Sequence, residues 1–172
     1  MASAAAAAST STTSGATKIH TFAKPLEFDF EGNVNQNAIV LADVDNDGLD
    51  ELIIGNDTGR VAIFKGSNPK PIKVASELGL VATLSVGDIL NIGRNVLLVV
   101  TAYGKCHMYD LGRIGLNETE ETSELKPFHT QMLPSNVKCA VVGDIDGDKM
   151  YEVAFALTDR VVRTYKWVDA KG

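Results

Sequence analysis

Apolar residues along this chain come in short runs, rich in β-branched side chains and bounded by Gly, Asn or Asp. Leu52-Ile53-Ile54, Val61-Ala62-Ile63-Phe64 and Val96-Leu97-Leu98-Val99-Val100 are typical. Runs of this length and composition predict strands, and no capped amphipathic stretch of helical length lies between them. Laid over one another, they give three copies of one pattern, at about residues 38–66, 82–112 and 140–167. Each copy opens with an apolar run that ends in an Asp and passes through a polar loop into a second aliphatic run. It then turns and finishes in a third run that closes on an aromatic and a polar residue. Asp43, Asp88 and Asp144 start the loops, and Phe64, Tyr109 and Tyr165 close the third runs. The turns are Thr58-Gly59-Arg60-Val61, Tyr103-Gly104-Lys105-Cys106 and Thr158-Asp159-Arg160-Val161, a match that needs one extra residue after Arg160.

The linking segments supply a fourth strand per unit, around Lys70 to Val74 after the first repeat and Pro127 to Leu133 after the second. Between them Asn117 to Lys126 is polar and acidic and reads as an exposed loop, with a short helical turn as the alternative. A sheet of this size cannot bury both faces alone, so neighbouring sheets must stack around an axis as propeller blades do, or else along a solenoid. The expected fold is all-β, a partial β-propeller of about three four-stranded antiparallel blades over residues 18–172. Because propellers have about four to eight blades, the chain reads as the N-terminal part of a larger one. Residues 1–17 carry no charge and no bulky apolar residue after Met1, which predicts a disordered tail; an organelle transit peptide is the weaker alternative, since the first basic residue is Lys18.

Charge adds a site to this picture. The net charge is −6, and the acidity is local: Asp43, Asp45, Asp47, Asp50 and Glu51 crowd one loop, and Asp144, Asp146, Asp148 and Glu152 another. Like charges packed this tightly need screening by water or a cation. In the first loop the carboxylates of Asp43, Asp45, Asp47 and Glu51 and the main-chain carbonyl of Leu49 form a set of hard oxygen donors, with Gly48 letting the chain reverse. Such a set suits a structural Ca²⁺, or Mg²⁺. The third loop offers Asp144, Asp146, Asp148, the Met150 carbonyl and Glu152, but Lys149 replaces the Gly, which predicts a weaker site. The second loop keeps Asp88, Asn91 and Gly93 with Leu90, Ile92 and Val96 elsewhere, and should bind no ion. An EF-hand would need a Glu at the twelfth position, where Ile54 and Phe155 stand. The competing reading makes these aspartates turn formers that bond nearby N–H groups.

Other chemistries find little support. His20, His107 and His129 lie in separate segments without a nucleophile motif or phosphate loop nearby, so no catalytic residue and no enzyme activity is expected. Basic residues are scattered singly, against nucleic-acid binding, and no apolar stretch is long enough for a membrane helix. Cys106 and Cys139 sit in apolar runs as small buried hydrophobes, which suits a reducing compartment.

The pattern Asp-x-Asp-x-Asp-Gly-x-x-Glu, followed by an aliphatic run and Gly, resembles the FG-GAP repeats of integrin α-subunit propellers. Over Ile39 to Trp167 the chain is more closely similar to a cytosolic branch of that family whose members are subunits of the KICSTOR complex. That resemblance implies a non-catalytic scaffold with protein partners, associated with the lysosomal membrane through them. It further implies a role in holding the GATOR complex there and restraining TOR kinase signalling when amino acids are scarce. The alternative is an extracellular, calcium-dependent adhesion or ligand-binding propeller.

Overall fold

The computed structural model describes residues 25–112, 116, 121–134 and 136–168. The expected tail at residues 1–17 and residues 18–24 of the expected propeller lie outside them. The described residues form twelve strands: β1 (Val34–Ala42), β2 (Glu51–Asn56), β3 (Val61–Phe64), β4 (Lys73–Ala75), β5 (Val81–Gly87), β6 (Val96–Thr101), β7 (Lys105–Tyr109), β8 (Ser123–Glu124), β9 (His129–Met132), β10 (Val137–Gly143), β11 (Glu152–Leu157) and β12 (Val162–Lys166). The first blade runs β1-β2-β3-β4 and the second β5-β6-β7-β9, both antiparallel; the third has three strands among the described residues, β10-β11-β12. The fourth strands β4 and β9 fall in or across the segments assigned to them from sequence.

Two details differ from the sequence reading. Part of the segment 117–126 is a strand: β8 pairs in parallel with β4 and widens the first blade to five strands. The Ser123 N–H donates to Ile72 O at 3.1 Å, the Leu125 N–H to Val74 O at 2.6 Å, and Lys73 Nζ to Ser123 Oγ at 2.7 Å. An outer strand otherwise leaves a row of main-chain groups unpaired, and here an insertion in the second blade covers that row on the first. The third repeat also needs no extra residue. Ala156 pairs with Val162 as Gly55 pairs with Val61, and the Leu157 N–H reaches Val161 O as the Asn56 N–H reaches Arg60 O. Arg160, at φ 69°, therefore stands where Gly59 stands at φ 91°. The shared Thr of the two turns suggests a match one residue out of step.

Side chains alternate between the faces of a strand, and the buried positions follow this rule. In β6, Leu97 and Val99 enter a core with Ile53, Val61 and Ile63 of the first blade, whereas Val96, Leu98 and Val100 enter a second core with Val153, Phe155 and Leu157 of the third. A strand covered on both faces has no polar position to spare, hence the unbroken apolar run. In β11 the alternate positions are Ala154 and Ala156, half-buried on a face that no other blade covers among the described residues. The far face of the first blade, Ile54, Ala62 and Phe64, is covered by Phe28 and Phe30, whose rings meet Phe64 edge-on at 5.1 and 6.4 Å between centroids.

The innermost strands β1, β5 and β10 sit side by side, β5 in the middle. Close approach requires glycine at two places: a Cβ on Gly55 would lie 2.7 Å from Val81 Cγ1, and one on Gly87 would lie 2.7 Å from Val142 Cγ1. Side chains tie these strands together, with Asn35 Nδ2 donating to Val81 O at 2.7 Å and Asn37 Nδ2 to Lys138 O at 2.9 Å. Among the described residues no helix is long and apolar enough to cross a membrane.

Candidate functional site

Each acidic loop joins an innermost strand to the second strand of its blade, and its aspartates fold it. Asp43 accepts the N–H groups of Asp47 and Gly48, both at 3.0 Å, Asp45 Oδ1 accepts the Asp47 N–H at 3.2 Å, and Asp47 Oδ1 accepts the Leu49 N–H at 2.9 Å. The third loop repeats the scheme: Asp144 binds the N–H groups of Gly147 (2.7 Å) and Lys149 (2.9 Å), Asp146 that of Asp148 (3.1 Å), and Asp148 that of Met150 (2.8 Å). Asp88 does the same in the carboxylate-poor second loop, binding the N–H groups of Ile92 and Gly93 at 2.9 and 2.7 Å. All three aspartates at the loop starts thus form turns. Lys149 takes the left-handed conformation of Gly48, at φ 70° against 92°, and its Cβ costs about 1 kcal/mol there.

The fold gathers the predicted donors. Oxygens of Asp43, Asp45 and Glu51 lie within 4.8 Å of one another, as do those of Asp144, Asp146 and Glu152. Asp47 and Asp148 complete each group from the other side, through a residue that sequence reading missed. Lys65, which follows Phe64 at the end of β3, places Nζ 2.7 Å from Asp45 Oδ2, 2.6 Å from Asp47 Oδ2 and 2.7 Å from Glu51 Oε1. Lys65, Asp45 and Glu51 are all buried. Burial works against the lysine's charge, but its hydrogen bonds to Asp45, Asp47 and Glu51 outweigh this and hold its pKa above the ordinary value. Asp47 is lowered by its bond to Lys65, and Glu51 is raised by burial in spite of Lys65 and the Val44 N–H.

The fit to a divalent ion can be read from the oxygens. Besides the bonds above, Asp45 Oδ2 accepts the Leu116 N–H, and Glu51 Oε2 accepts the Val44 N–H at 3.0 Å. Every carboxylate oxygen of Asp43, Asp45, Asp47 and Glu51 therefore already has an N–H or ammonium donor. Calcium needs six to eight oxygens within about 2.6 Å, and with Lys65 in place this set does not fit it. The expected main-chain ligands, Leu49 and Met150, meet the loop through their N–H groups.

The other blades vary the theme. Lys166 stands at Lys65's place and pairs with Asp148 and, at 3.0 Å, with Glu152 Oε1. Glu152 also accepts the Ile145 N–H at 3.0 Å, as Glu51 accepts that of Val44. In the second blade the charges are exchanged: Asp110 holds the lysine position, and Arg94, from the position of Leu49, pairs with it.

Asparagines join each loop to the next. Asn46 Oδ1 accepts the Asn95 N–H at 2.6 Å while its Nδ2 donates to Asn95 O at 3.2 Å, and Asn91 makes the same two-point bond to the main chain of Tyr151, its Nδ2 donating to Tyr151 O at 3.1 Å. Asn95 Nδ2 returns a bond to Asp43 O at 2.7 Å. The signal for these clasps in the sequence is an Asn at the fourth loop position of the first and second repeats.

The remaining candidates have structural surroundings. His107 Nδ1 lies 3.0 Å from Thr130 Oγ1, and the His129 ring meets Trp167 edge-on at 5.1 Å; His20 lies outside the described residues. Cys106 is buried, which pushes its thiol up to about 12, and Cys139 is half-buried; both are free. Asn56, which has the form of a glycosylation acceptor, is buried and donates to Glu31 O at 2.7 Å.

Stacked sheets whose first turns each open on an aspartate define an FG-GAP β-propeller, and the FG-GAP repeat pattern itself matches residues 35–64. The pattern of the family described as integrin-alpha FG-GAP repeat-containing protein 2 matches residues 65–172, and the chain belongs to that family. It is 35% identical to the KICSTOR complex protein ITFG2 of Mus musculus over 151 residues, 85% of this chain and 34% of the relative. The Bos taurus protein of the same name is 35% identical over 154 residues, 86% of this chain and 29% of the relative. The chain thus spans about a third of the length of these curated relatives. Among solved structures, the crystal structure of BBS1N in complex with ARL6DN, soaked with lead, shares the fold at a TM-score of 0.58 and 13% identity, covering 78% of this chain and 41% of that one.

Proposed function

We propose that the chain supplies blades to a non-catalytic scaffold, as a subunit of a KICSTOR-type complex. In this reading the complex holds the GATOR complex at the lysosomal surface and restrains TOR kinase signalling when amino acids are scarce. The carrying observation is the similarity to two proteins named KICSTOR complex protein over 85% and 86% of the chain. The site geometry supports it: the carboxylates of the first loop are consumed in fixing turns and a buried ion pair, and His107 and His129 contact Thr130 and Trp167. Its partners are other protein subunits, with no role for nucleic acid. It resides in the cytoplasm and reaches the lysosomal membrane through those partners.

The test is to remove the protein from cells, restore a tagged copy, and withdraw amino acids. The expected result is that TOR-substrate phosphorylation persists without the protein and falls once it is restored, and that other KICSTOR subunits co-purify with the tag. Normal loss of phosphorylation in its absence, with no KICSTOR subunit recovered, overturns the reading.

A further inference from the structure

We propose that the acidic loop of the first blade carries its own cation: the Lys65 ammonium takes the place a divalent metal would fill, so the loop keeps its shape without metal. Lys166 does the same, less completely, for the third blade.

Three observations carry this. An ammonium has three N–H donors and no acceptor, and Lys65 has three carboxylate oxygens around it at 2.6–2.7 Å, from Asp45, Asp47 and Glu51. Its valence and theirs are met together. Next, the oxygens turned away from the lysine are held by N–H groups of Val44, Asp47, Gly48 and Leu49, so none is left waiting for a ligand. A metal would have to expel the ammonium, and the Lys65 side chain is only 7% exposed. Third, the repeats change in step. The two loops rich in carboxylates face a lysine at the end of the third strand, and the loop that keeps only Asp88 faces Asp110, with Arg94 supplying the cation. A cation from a side chain accounts for this pairing of opposite charges in every blade. A bound metal would leave the reversal at Asp110 without a cause.

The two lysine sites differ in strength. Lys65 pairs with three carboxylates, two of them almost wholly buried, whereas Lys166 pairs with two and its side chain is 34% exposed. The third loop is where calcium, above the millimolar range in which weak extracellular modules fill, displaces a lysine first.

Thermal unfolding and calorimetric titration of the intact chain test the proposal, in EDTA and in calcium at about 1 mM, where weak extracellular modules fill. The expected result is one unfolding midpoint in both media and no saturable heat. Lys65→Met keeps the stem and removes the charge; its midpoint falls in EDTA and rises again with calcium. Lys166→Met, at the more exposed site, should gain the same calcium response if Lys65→Met does not fold. Saturable calcium binding by the unaltered chain that is lost in Asp45→Asn overturns the proposal, as does the absence of any calcium response in every lysine variant that folds.

Discussion

Asp45 and Glu51 are buried carboxylates whose charge is tolerable only because Lys65 and main-chain N–H groups surround them. Removing one partner of a buried ion pair is far worse than never having built it, so Lys65→Met should cost about 3–5 kcal/mol in urea unfolding at neutral pH. The lysine's pKa is raised, so its contribution is complete below the ordinary value of 10.5 and fades as pH climbs through the folded-state value. The gap between Lys65→Met and the unaltered chain should therefore close only in strong alkali. Asp148 has the opposite sign. Its bond to Lys166 lowers its pKa, so what it contributes is present above the ordinary 3.8 and is lost as pH falls through the lower folded-state value. An NMR titration of the Asp148 carboxyl carbon should show a midpoint below 3.8 that moves up in Lys166→Gln; an unmoved midpoint would sever the pair. The carboxylates were legible in the sequence because their alternation lies within one loop. The lysines were not, since each sits at the end of a different strand and reads there as an ordinary solvent-facing residue. Only the reversal to Asp110 in the aligned second repeat gives them away.

Between elements, the bonds that matter are those a single blade cannot make for itself. Asn91 bonds both main-chain groups of Tyr151 in the next blade; water can re-pair these exposed groups, so Asn91→Ala should cost only the net worth of the bonds, about 0.5–1.5 kcal/mol. Urea unfolding checks this, and a midpoint equal to that of the parent would mean that the clasp adds nothing. A methyl group on Gly55 would press on the stiff side chain of Val81, so Gly55→Ala should destabilise by about 1–3 kcal/mol through overpacking. Strand positions were readable from short β-branched runs. The strap β8 was not, because two exposed polar residues on the edge of another blade leave no apolar alternation to read. The one-residue error in the third turn has a similar cause: Arg160 adopts a conformation that usually announces itself with glycine.

At the scale of the whole molecule, blades lean on one another through two apolar cores with the second blade between them. This was the most legible feature, since a run such as Val96–Val100 has apolar side chains on both faces and so demands a neighbour on each. The outward faces remain apolar in part, with Leu41 65% and Val162 66% exposed. The isolated chain should bind a hydrophobic dye, and Leu41→Gln with Val162→Thr should reduce that binding; equal binding would place the sticky surface elsewhere. Everything above depends on the blades meeting as described, and the most direct measurement is a methyl-resolved NOE experiment on the valines. The account predicts cross-peaks from the Val81 methyls to the Gly55 α-protons and from the Val142 methyls to the Gly87 α-protons. Well-resolved signals for all four residues with neither cross-peak would contradict it.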